Sequence, residues 1–274
     1  VPYYNTGREA HLLDVYRRRD LSGPRPVVLY IHGGGFRILS KKSHAGLALH
    51  FARRGFIAAN INYRLAPKHR YPAAIEDACR AYTWLVENIS AFGGDPSRIV
   101  VAGESAGANL ATGVTVATCY ERPEPWAAEV YDTGIVPQVS APTCGMLQVT
   151  DAHRFARRKR LPSVLADHLI YVEQAYLPDE RDLEVDMTMA NPIVLLEEQE
   201  PDRPLPPFYS CVGTADPLLD DTRRLEKALK ARGVPTRTDY LEGQPHAFHC
   251  VLWTPPARKV WRSKFDFLDE HLGG

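Results

Sequence analysis

The sequence has 274 residues, of which 45% are hydrophobic, and its 33 basic and 33 acidic residues give a formal net charge of zero. A chain of this size and composition can bury a large core as one domain. Because the charges are interspersed and the basic runs at residues 17–19 and 157–160 are short, we expect no nucleic-acid partner.

The five cysteines are widely spaced, odd in number and without a C-x-x-C pair. This pattern favours buried thiols over a disulfide framework or a zinc site. No stretch approaches the roughly 18 to 20 apolar residues that span a bilayer, and the N-terminus lacks a charged start followed by an apolar block. We therefore expect a cytoplasmic protein with no membrane partner.

Apolar, β-rich runs alternate with helical stretches along almost the whole chain, which predicts an α/β fold with a mainly parallel sheet. The predicted strands lie at residues 12–16, 26–31, 55–62, 99–102, 144–149, 207–212 and 236–241. Helices are predicted at residues 73–90, from about Ala108 onward, and at residues 220–232. We expect these elements to form a single domain over residues 1–274.

One segment, residues 152–200, departs from this alternation because it is charged and rich in helix formers. An insertion between two strands is more often a lid over a site than a separate domain. We therefore predict a small helical cap insertion here. Five apolar residues fall roughly on one face of its predicted helix, namely Leu161, Leu165, Leu169, Val172 and Tyr176.

The predicted strand at residues 26–31 runs into His32 and three consecutive glycines, Gly33, Gly34 and Gly35. Three glycines in a row are entropically unfavourable, and such a loop is useful where bare backbone N–H groups must face a developing negative charge. The spacings of dinucleotide-binding and phosphate-binding loops are both absent from the sequence here. A plain flexible turn is the alternative.

The sequence G-E-S-A-G at residues 103–107 follows a predicted strand and precedes a predicted helix. This is the G-x-S-x-G pattern of a nucleophile elbow, in which the serine, here Ser105, sits on a sharp, strained turn. The backbone N–H of Ala106 then points to where an oxyanion would form. A small-residue turn between a strand and a helix is the alternative interpretation.

A serine nucleophile needs a base, and the base needs an orienting carboxylate. Asp216 comes just past the predicted strand at residues 207–212, and His246 follows the last predicted strand. The order Ser105, Asp216, His246 is the nucleophile–acid–base order of α/β-hydrolases. Asp216 could instead cap the next helix.

Two further histidines are assigned to other roles. We expect His32 to shape the glycine loop and His249 to pack or bond locally. No two histidines have metalloprotease spacing with a glutamate between them, so we expect no metal.

In this order the motifs resemble those of the hormone-sensitive lipase-like group of α/β-hydrolase esterases, over residues 30–250. The resemblance rests on H-G-G-G at residues 32–35, Y-R-L-A-P at residues 63–67, Y-P-A-A-I-E-D at residues 71–77, G-E-S-A-G at residues 103–107, and Asp216 with His246.

The resemblance implies an α/β-hydrolase fold with an eight-stranded, mostly parallel sheet, and hydrolysis of short to medium acyl esters without a cofactor. It also implies that Gly34 and Gly35 join Ala106 in an oxyanion hole, although the sequence alone does not exclude Gly33. Arg64 and Asp77 are then candidate partners in a buried ion pair.

Two features depart from the group. Glu104 precedes the serine where aspartate is usual, and the predicted strand at residues 12–16 begins where members usually carry a helical cap segment. We therefore expect the N-terminal part of the cap to be truncated or missing. The last predicted strand is expected near a sheet edge, which makes a homodimer through that edge plausible.

Three functions remain compatible with these residues. A serine carboxylesterase is the main prediction, with a small-molecule ester as its substrate. The same triad could hydrolyse an amide or a formamide. A non-catalytic small-molecule receptor built on a hydrolase fold is the third.

Overall fold

The computed structural model describes residues 1–157, 162–178 and 185–273. The strands in these residues are β1 (Leu13–Tyr16), β2 (Arg25–Ile31), β3 (Ile57–Ile61), β4 (Gly94–Glu104), β5 (Val139–Thr143), β6 (Phe208–Gly213) and β7 (Thr236–Leu241). The helices are α1 (Ala45–Arg53), α2 (Ala73–Asn88), α3 (Ala106–Cys119), α4 (Pro125–Asp132), α5 (His153–Ala156), α6 (Ser163–Tyr176), α7 (Pro192–Glu198), α8 (Leu219–Ala231) and α9 (Pro255–His271).

The strands form one sheet in the order β1-β3-β2-β4-β5-β6-β7. Only β1 runs antiparallel to its neighbour within this described sheet, and the other five pairs are parallel. Parallel neighbours need crossover connections, which the intervening helices provide. The predicted α/β fold with a mostly parallel sheet is therefore confirmed.

The expected count of eight strands is wrong for the described residues, which contain seven. Ahead of β1 the chain makes a single isolated antiparallel bridge between Pro2 and Leu12. A 3-10 turn at Glu9–His11 interrupts the extended backbone between these two residues, so no additional paired strand forms there.

The predicted strand at residues 144–149 is also wrong, because the strand at this place, β5, ends at Thr143. Cys144 has a φ of 42°, a left-handed conformation that breaks the extended backbone. The loop that follows is buried, but the backbone N–H of Leu147 donates to the carboxylate of Asp221 at 2.9 Å rather than to a neighbouring strand. Residues 144–149 are therefore apolar because they form a buried loop, and not because they form a strand.

Helices cover both faces of the sheet, and the alternation of side chains along the strands explains why both faces are apolar. In β2, Val27, Leu29 and Ile31 belong to the core shared with α2, α3 and α8. Val28 and Tyr30 point to the opposite core, shared with α1 and α9. Because the central strands are buried on both faces, their carboxyl ends are held in fixed positions. Loops that follow these ends can therefore carry functional side chains in a defined geometry.

Helix α6, from the predicted cap insertion, lies against the glycine loop. Tyr176 stacks on Phe36 with ring centroids 3.8 Å apart, and its backbone carbonyl accepts the N–H of Tyr71 at 2.7 Å. On the predicted apolar face, Leu169, Val172 and Tyr176 are buried, Leu165 is exposed, and Leu161 lies outside the described residues. Helix α6 therefore packs against the protein through the C-terminal part of that face.

The expected ion pair between Arg64 and Asp77 is present and buried on the aspartate side. The guanidinium contacts the carboxylate at 2.7 Å, and the backbone N–H of Arg64 donates to the same carboxylate at 2.8 Å. These bonds tie the loop after β3 to α2.

Among the described residues, none of the helices combines the length and apolar character needed to cross a bilayer.

Candidate active site

Ser105 lies at the junction of β4 and α3 with φ 56° and ψ −119°. A non-glycine residue in such a conformation is strained and persists only where its surroundings enforce it. A Cβ on Gly103 would lie 2.4 Å from the carbonyl oxygen of Gly107, and a Cβ on Gly107 would lie 2.1 Å from that of Ile31. The two glycines therefore permit a close strand–helix contact that no other residue allows. Helix α3 begins at Ala106, two residues earlier than predicted.

The structure brings the three predicted triad residues together. Nε2 of His246 lies 3.0 Å from Oγ of Ser105, and Nδ1 of His246 lies 2.9 Å from Oδ2 of Asp216. The other oxygen of Asp216 accepts the backbone N–H of Leu218 at 2.8 Å. Asp216 thus bonds the imidazole through one carboxylate oxygen and the N–H of Leu218 through the other. Because Leu218 precedes the first residue of α8, this second bond belongs to the turn before the helix and is not the helix cap that the sequence also allowed.

The electrostatics of His246 suit a general base. Burial lowers the pKa of His246, but the hydrogen bond and the negative charge of Asp216 outweigh this effect and raise the pKa above its ordinary value. Asp216 is 1% exposed, so its charge is poorly screened by water. The pair therefore stabilises the imidazolium that forms when a proton moves from Ser105.

The other two histidines near the site do not contact Ser105. Burial lowers the pKa of His249 to about 3, and its backbone carbonyl accepts the indole N–H of Trp261 at 2.9 Å. Burial lowers the pKa of His32 to about 4, and its ring stacks on Tyr63 with centroids 4.3 Å apart. Both are neutral at neutral pH, and Nδ1 of His32 lies 2.8 Å from the carbonyl oxygen of Gly33, in the glycine loop that this histidine was predicted to shape.

The glycine loop adopts backbone angles that favour glycine, with φ of 105° at Gly34 and 58° at Gly35. A Cβ on Gly34 would lie 2.3 Å from the carbonyl oxygen of Ile38. The N–H of Gly33 donates to Oε1 of Glu104 at 2.5 Å, so this donor is already engaged. The structure therefore favours Gly34 and Gly35 over Gly33 as oxyanion donors.

Ala106 is the first residue of α3, and the N–H groups of a first helical turn have no intrahelical acceptor. The positive end of the helix dipole lies at the same place and favours negative charge. Gly35 and Ala106 line one cavity together with Ser105 and His246, whereas Gly34 lies in the adjoining turn, where its carbonyl accepts the N–H of Arg37 at 3.1 Å.

This cavity has a volume of about 270 Å³. Its walls are mainly apolar, and α6 contributes one side of it through Leu165, Leu169 and Val172. Met146 and Leu218 also line it. A small apolar space that ends at a serine hydroxyl suits a short hydrocarbon group attached to a reactive carbonyl.

The described residues include one group of side chains with metal-ligand spacing, Cys144, Asp216 and His246, whose ligand atoms lie within 4.8 Å of one another. Two of these three already bond each other as carboxylate and imidazole. The thiol is buried, and burial raises its pKa well above the ordinary value. Because a metal ligand must be the thiolate, this thiol is poorly suited to binding a cation.

Sequence reasoning missed the residues that surround Glu104. Its carboxylate lies 2.7 Å from Nε2 of His44, a residue in the turn before α1. No motif contains His44, and the contact joins residues far apart in the chain. The unusual glutamate was the available signal, because its longer side chain reaches farther than aspartate.

Comparison with known proteins agrees with this architecture. The fold and the strand–serine–helix elbow are those of the α/β-hydrolases, and a family described as alpha/beta hydrolase fold matches residues 28–250. The chain belongs to this family and, within it, to the hormone-sensitive lipase-like group whose motifs it carries.

Among curated proteins, the chain is 32% identical over 279 residues to Esterase LipQ of Mycobacterium tuberculosis, an alignment that covers 98% of this chain and 61% of LipQ. It is 28% identical to the versiconal hemiacetal acetate esterase of Dothistroma septosporum, covering 89% of this chain and 73% of that protein. This chain thus spans about three-fifths of the length of LipQ.

Solved structures of esterases have the same fold. A bacterial heroin esterase superposes with a TM-score of 0.78 at 26% identity, covering 96% of this chain and 80% of that one. An esterase from Pyrobaculum calidifontis superposes with a TM-score of 0.77 at 27% identity, covering 94% and 80%. Both similarities extend over nearly the whole chain.

Proposed function

We propose that this protein is a carboxylesterase that hydrolyses short to medium acyl esters through an acyl-enzyme on Ser105, without a cofactor. The observation that carries the proposal is the hydrogen-bonded line from Ser105 through His246 to Asp216 at the wall of an apolar cavity. Similarity to several proteins named as esterases supports it. Helix α6, which belongs to the predicted insertion at residues 152–200, acts as a cap because it forms one wall of that cavity.

In the proposed mechanism, Oγ of Ser105 attacks the ester carbonyl carbon while its proton passes to Nε2 of His246. Asp216 accepts the Nδ1–H bond, fixes the tautomer and stabilises the imidazolium. The carbonyl π electrons move to oxygen, and the backbone N–H groups of Gly34, Gly35 and Ala106 stabilise this oxyanion. Each such donor contributes about 3 to 4 kcal/mol to transition-state stabilisation by analogy with side-chain donor deletions.

Collapse of the tetrahedral intermediate breaks the bond to the alcohol oxygen. His246 gives its proton to that oxygen, and the alcohol leaves. Water then attacks the acyl-enzyme, transfers a proton to His246, and releases the carboxylic acid with Ser105 restored. Every proton taken by His246 is returned within the same half-reaction, so no outside acid or base is needed.

The volume of the cavity predicts the chain-length preference. A buried methylene contributes about 0.8 kcal/mol only while apolar wall remains to cover it. We therefore expect kcat/KM for p-nitrophenyl esters to rise from acetyl to butyryl or hexanoyl and then to fall. Initial rates across that series, each paired with the matched anilide, test ester hydrolysis against amide hydrolysis.

The wall formed by α6 provides a variant for this experiment. Leu169→Ala enlarges the cavity and should move the preferred acyl chain to a longer one, whereas Val164→Ala, at an exposed position of the same helix, should leave the preference unchanged. A wild-type preference for palmitoyl over butyryl would contradict the volume argument. Faster turnover of the anilides would favour the amidase alternative.

We also propose a homodimer that forms through β7, which lies at one edge of the described sheet. An edge strand presents unpaired N–H and C=O groups, and pairing with a second copy satisfies them. Static light scattering of a dilution series at micromolar concentrations should give about twice the monomer mass of 30.7 kDa. A constant monomer mass across the series would refute the dimer.

A cytoplasmic location remains part of the proposal. All five cysteines are free thiols, and four of them are buried. Proteins that keep several thiols unpaired are typical of reducing compartments.

A further inference from the structure

The buried surroundings of Glu104 are more elaborate than a nucleophile elbow requires. Glu104 is 2% exposed, and Oε1 accepts the backbone N–H of Gly33 at 2.5 Å and lies 2.7 Å from Nε2 of His44. Oε2 accepts the hydroxyl of Tyr30. One side chain therefore joins the end of β4, the glycine loop, β2 and the turn before α1.

The hydrogen-bond partners of Glu104 and His44 indicate the charge of each side chain. Gly33 and Tyr30 both donate to Glu104, so the carboxylate acts as acceptor only, as an ionised group does. Oγ of Ser43 donates its proton to the carbonyl of Ser40 at 2.7 Å and lies 2.9 Å from Nδ1 of His44. With the Ser43 hydroxyl directed at Ser40, we assign the proton of the Ser43–His44 contact to Nδ1 and the proton of the carboxylate contact to Nε2. This assignment makes His44 an imidazolium, in agreement with the raised pKa that the Glu104 contact gives it.

We propose that the buried His44–Glu104 ion pair is a positioning device that holds the glycine loop at a fixed distance from Ser105. Glu104 precedes Ser105 in the chain, and its carboxylate accepts the N–H of Gly33, the residue just before Gly34 and Gly35. A Cβ on Gly33 would lie only 3.2 Å from Cβ of Ser105, so the loop and the elbow are in direct contact. This inference rests on the proposed esterase function.

The consequence is a dependence on pH that a triad alone does not have. His246 must be neutral to act as base, so activity rises as pH increases through its pKa. His44 must be charged, so its contribution is complete at lower pH and is lost as pH rises through the pKa of His44. Burial lowers that pKa, but the hydrogen bond and charge of Glu104 outweigh burial and raise it. The resulting kcat profile is bell-shaped.

Among the other described ionisable groups that face this pair, only Lys264 competes with His44 as the source of an alkaline limb. The groups are Tyr30, His32, Tyr63, His246, His249, Cys250 and Lys264. His32 and His249 have pKa values of about 4 and 3, and are neutral above them. Burial raises the pKa values of Tyr30, Tyr63 and Cys250 far above the neutral range. Burial lowers the pKa of Lys264, which makes this group the competing candidate for an alkaline limb.

The test compares His44→Gln and Glu104→Gln with His50→Gln, a control on α1 that lies outside the network. At neutral pH, kcat for p-nitrophenyl butyrate should fall roughly 10- to 100-fold in the first two variants, as expected when catalytic groups are displaced slightly, with KM little changed. In His44→Gln the alkaline limb should vanish while the acid limb of His246 remains. His50→Gln should keep both limbs.

Removing one partner of a buried ion pair is strongly destabilising, so a single variant can fail to fold. The double variant H44Q/E104Q replaces both charges by amides that can bond each other, and it should show the same loss of kcat without an alkaline limb. An alkaline limb that persists unchanged in His44→Gln or in the double variant would overturn the inference and assign the limb to Lys264. Unaltered kcat in the folded variants would also overturn it. Wild-type protein without ester turnover would instead contradict the proposed function itself.

Discussion

Replacing Ser105 by alanine should lower kcat for p-nitrophenyl butyrate by roughly 10⁴- to 10⁶-fold, because among the described residues that line the cavity only Ser105 carries a hydroxyl that can form the acyl-enzyme. The remaining rate should reflect binding in the cavity and stabilisation of the oxyanion by the backbone donors. Stopped-flow or steady-state measurement of p-nitrophenol release at saturating ester gives kcat directly.

Ser97→Ala is the matched control, since Ser97 lies on the same strand, β4, but is exposed at its far end. Its kcat should equal that of the wild type. The melting temperature of Ser105→Ala should not fall, because the strained conformation of residue 105 gains nothing from the hydroxyl. Retention of more than a few per cent of activity would exclude Ser105 as the nucleophile.

The second large effect is expected for Asp216→Asn, with kcat reduced by about 10⁴-fold. One carboxylate oxygen accepts the N–H of Leu218, so the asparagine oxygen should take that bond and its NH₂ group should face Nδ1 of His246. The imidazole would then carry its proton on Nε2 and could not accept the proton of Ser105. The loss should therefore appear in kcat, with the fold retained.

Asp220→Asn provides a nearby control, in the first turn of α8. Its side chain is half-exposed and pairs with Arg223 one helical turn later, at 3.1 Å. Exposed pairs of this kind contribute about 0 to 1 kcal/mol to stability, so turnover should be close to that of the wild type. A loss at Asp220→Asn equal to that at Asp216→Asn would require the acid to be reassigned.

Asp221 is unsuitable as a second control, although in the sequence it appears equivalent to Asp220. It is 1% exposed, contacts Arg154 at 2.8 Å, and accepts the backbone N–H of Leu147. Its replacement should therefore lower stability rather than act on the reaction. The two adjacent aspartates differ because α8 turns Asp220 toward solvent and Asp221 into the core.

The parts of the site that were predictable from sequence are those encoded by short, local patterns. The elbow needs glycines on both sides of Ser105 because Cβ atoms would collide with backbone oxygens. Asp216 and His246 each follow a parallel strand, and the carboxyl ends of parallel strands meet at one edge of the sheet. Order and spacing therefore indicated a triad, and the structure places the three side chains in hydrogen-bond contact.

The parts that were missed depend on contacts between distant segments. The apolar run at residues 144–149 resembles a strand, but its backbone bonds to a buried side chain of α8. The local sequence does not distinguish a buried strand from a buried loop of this kind. His44 likewise has no motif, and its role depends on where the turn before α1 meets the end of β4.

The most direct test of the account is covalent labelling of the intact protein by a fluorophosphonate, read by mass spectrometry. The phosphorus reagent mimics the tetrahedral intermediate and requires both an activated serine and the oxyanion donors. We predict one adduct per chain, located on Ser105, that is absent in Ser105→Ala and forms far more slowly in Asp216→Asn. No adduct, or an adduct at another residue, would contradict the assignment of this site as a serine hydrolase centre.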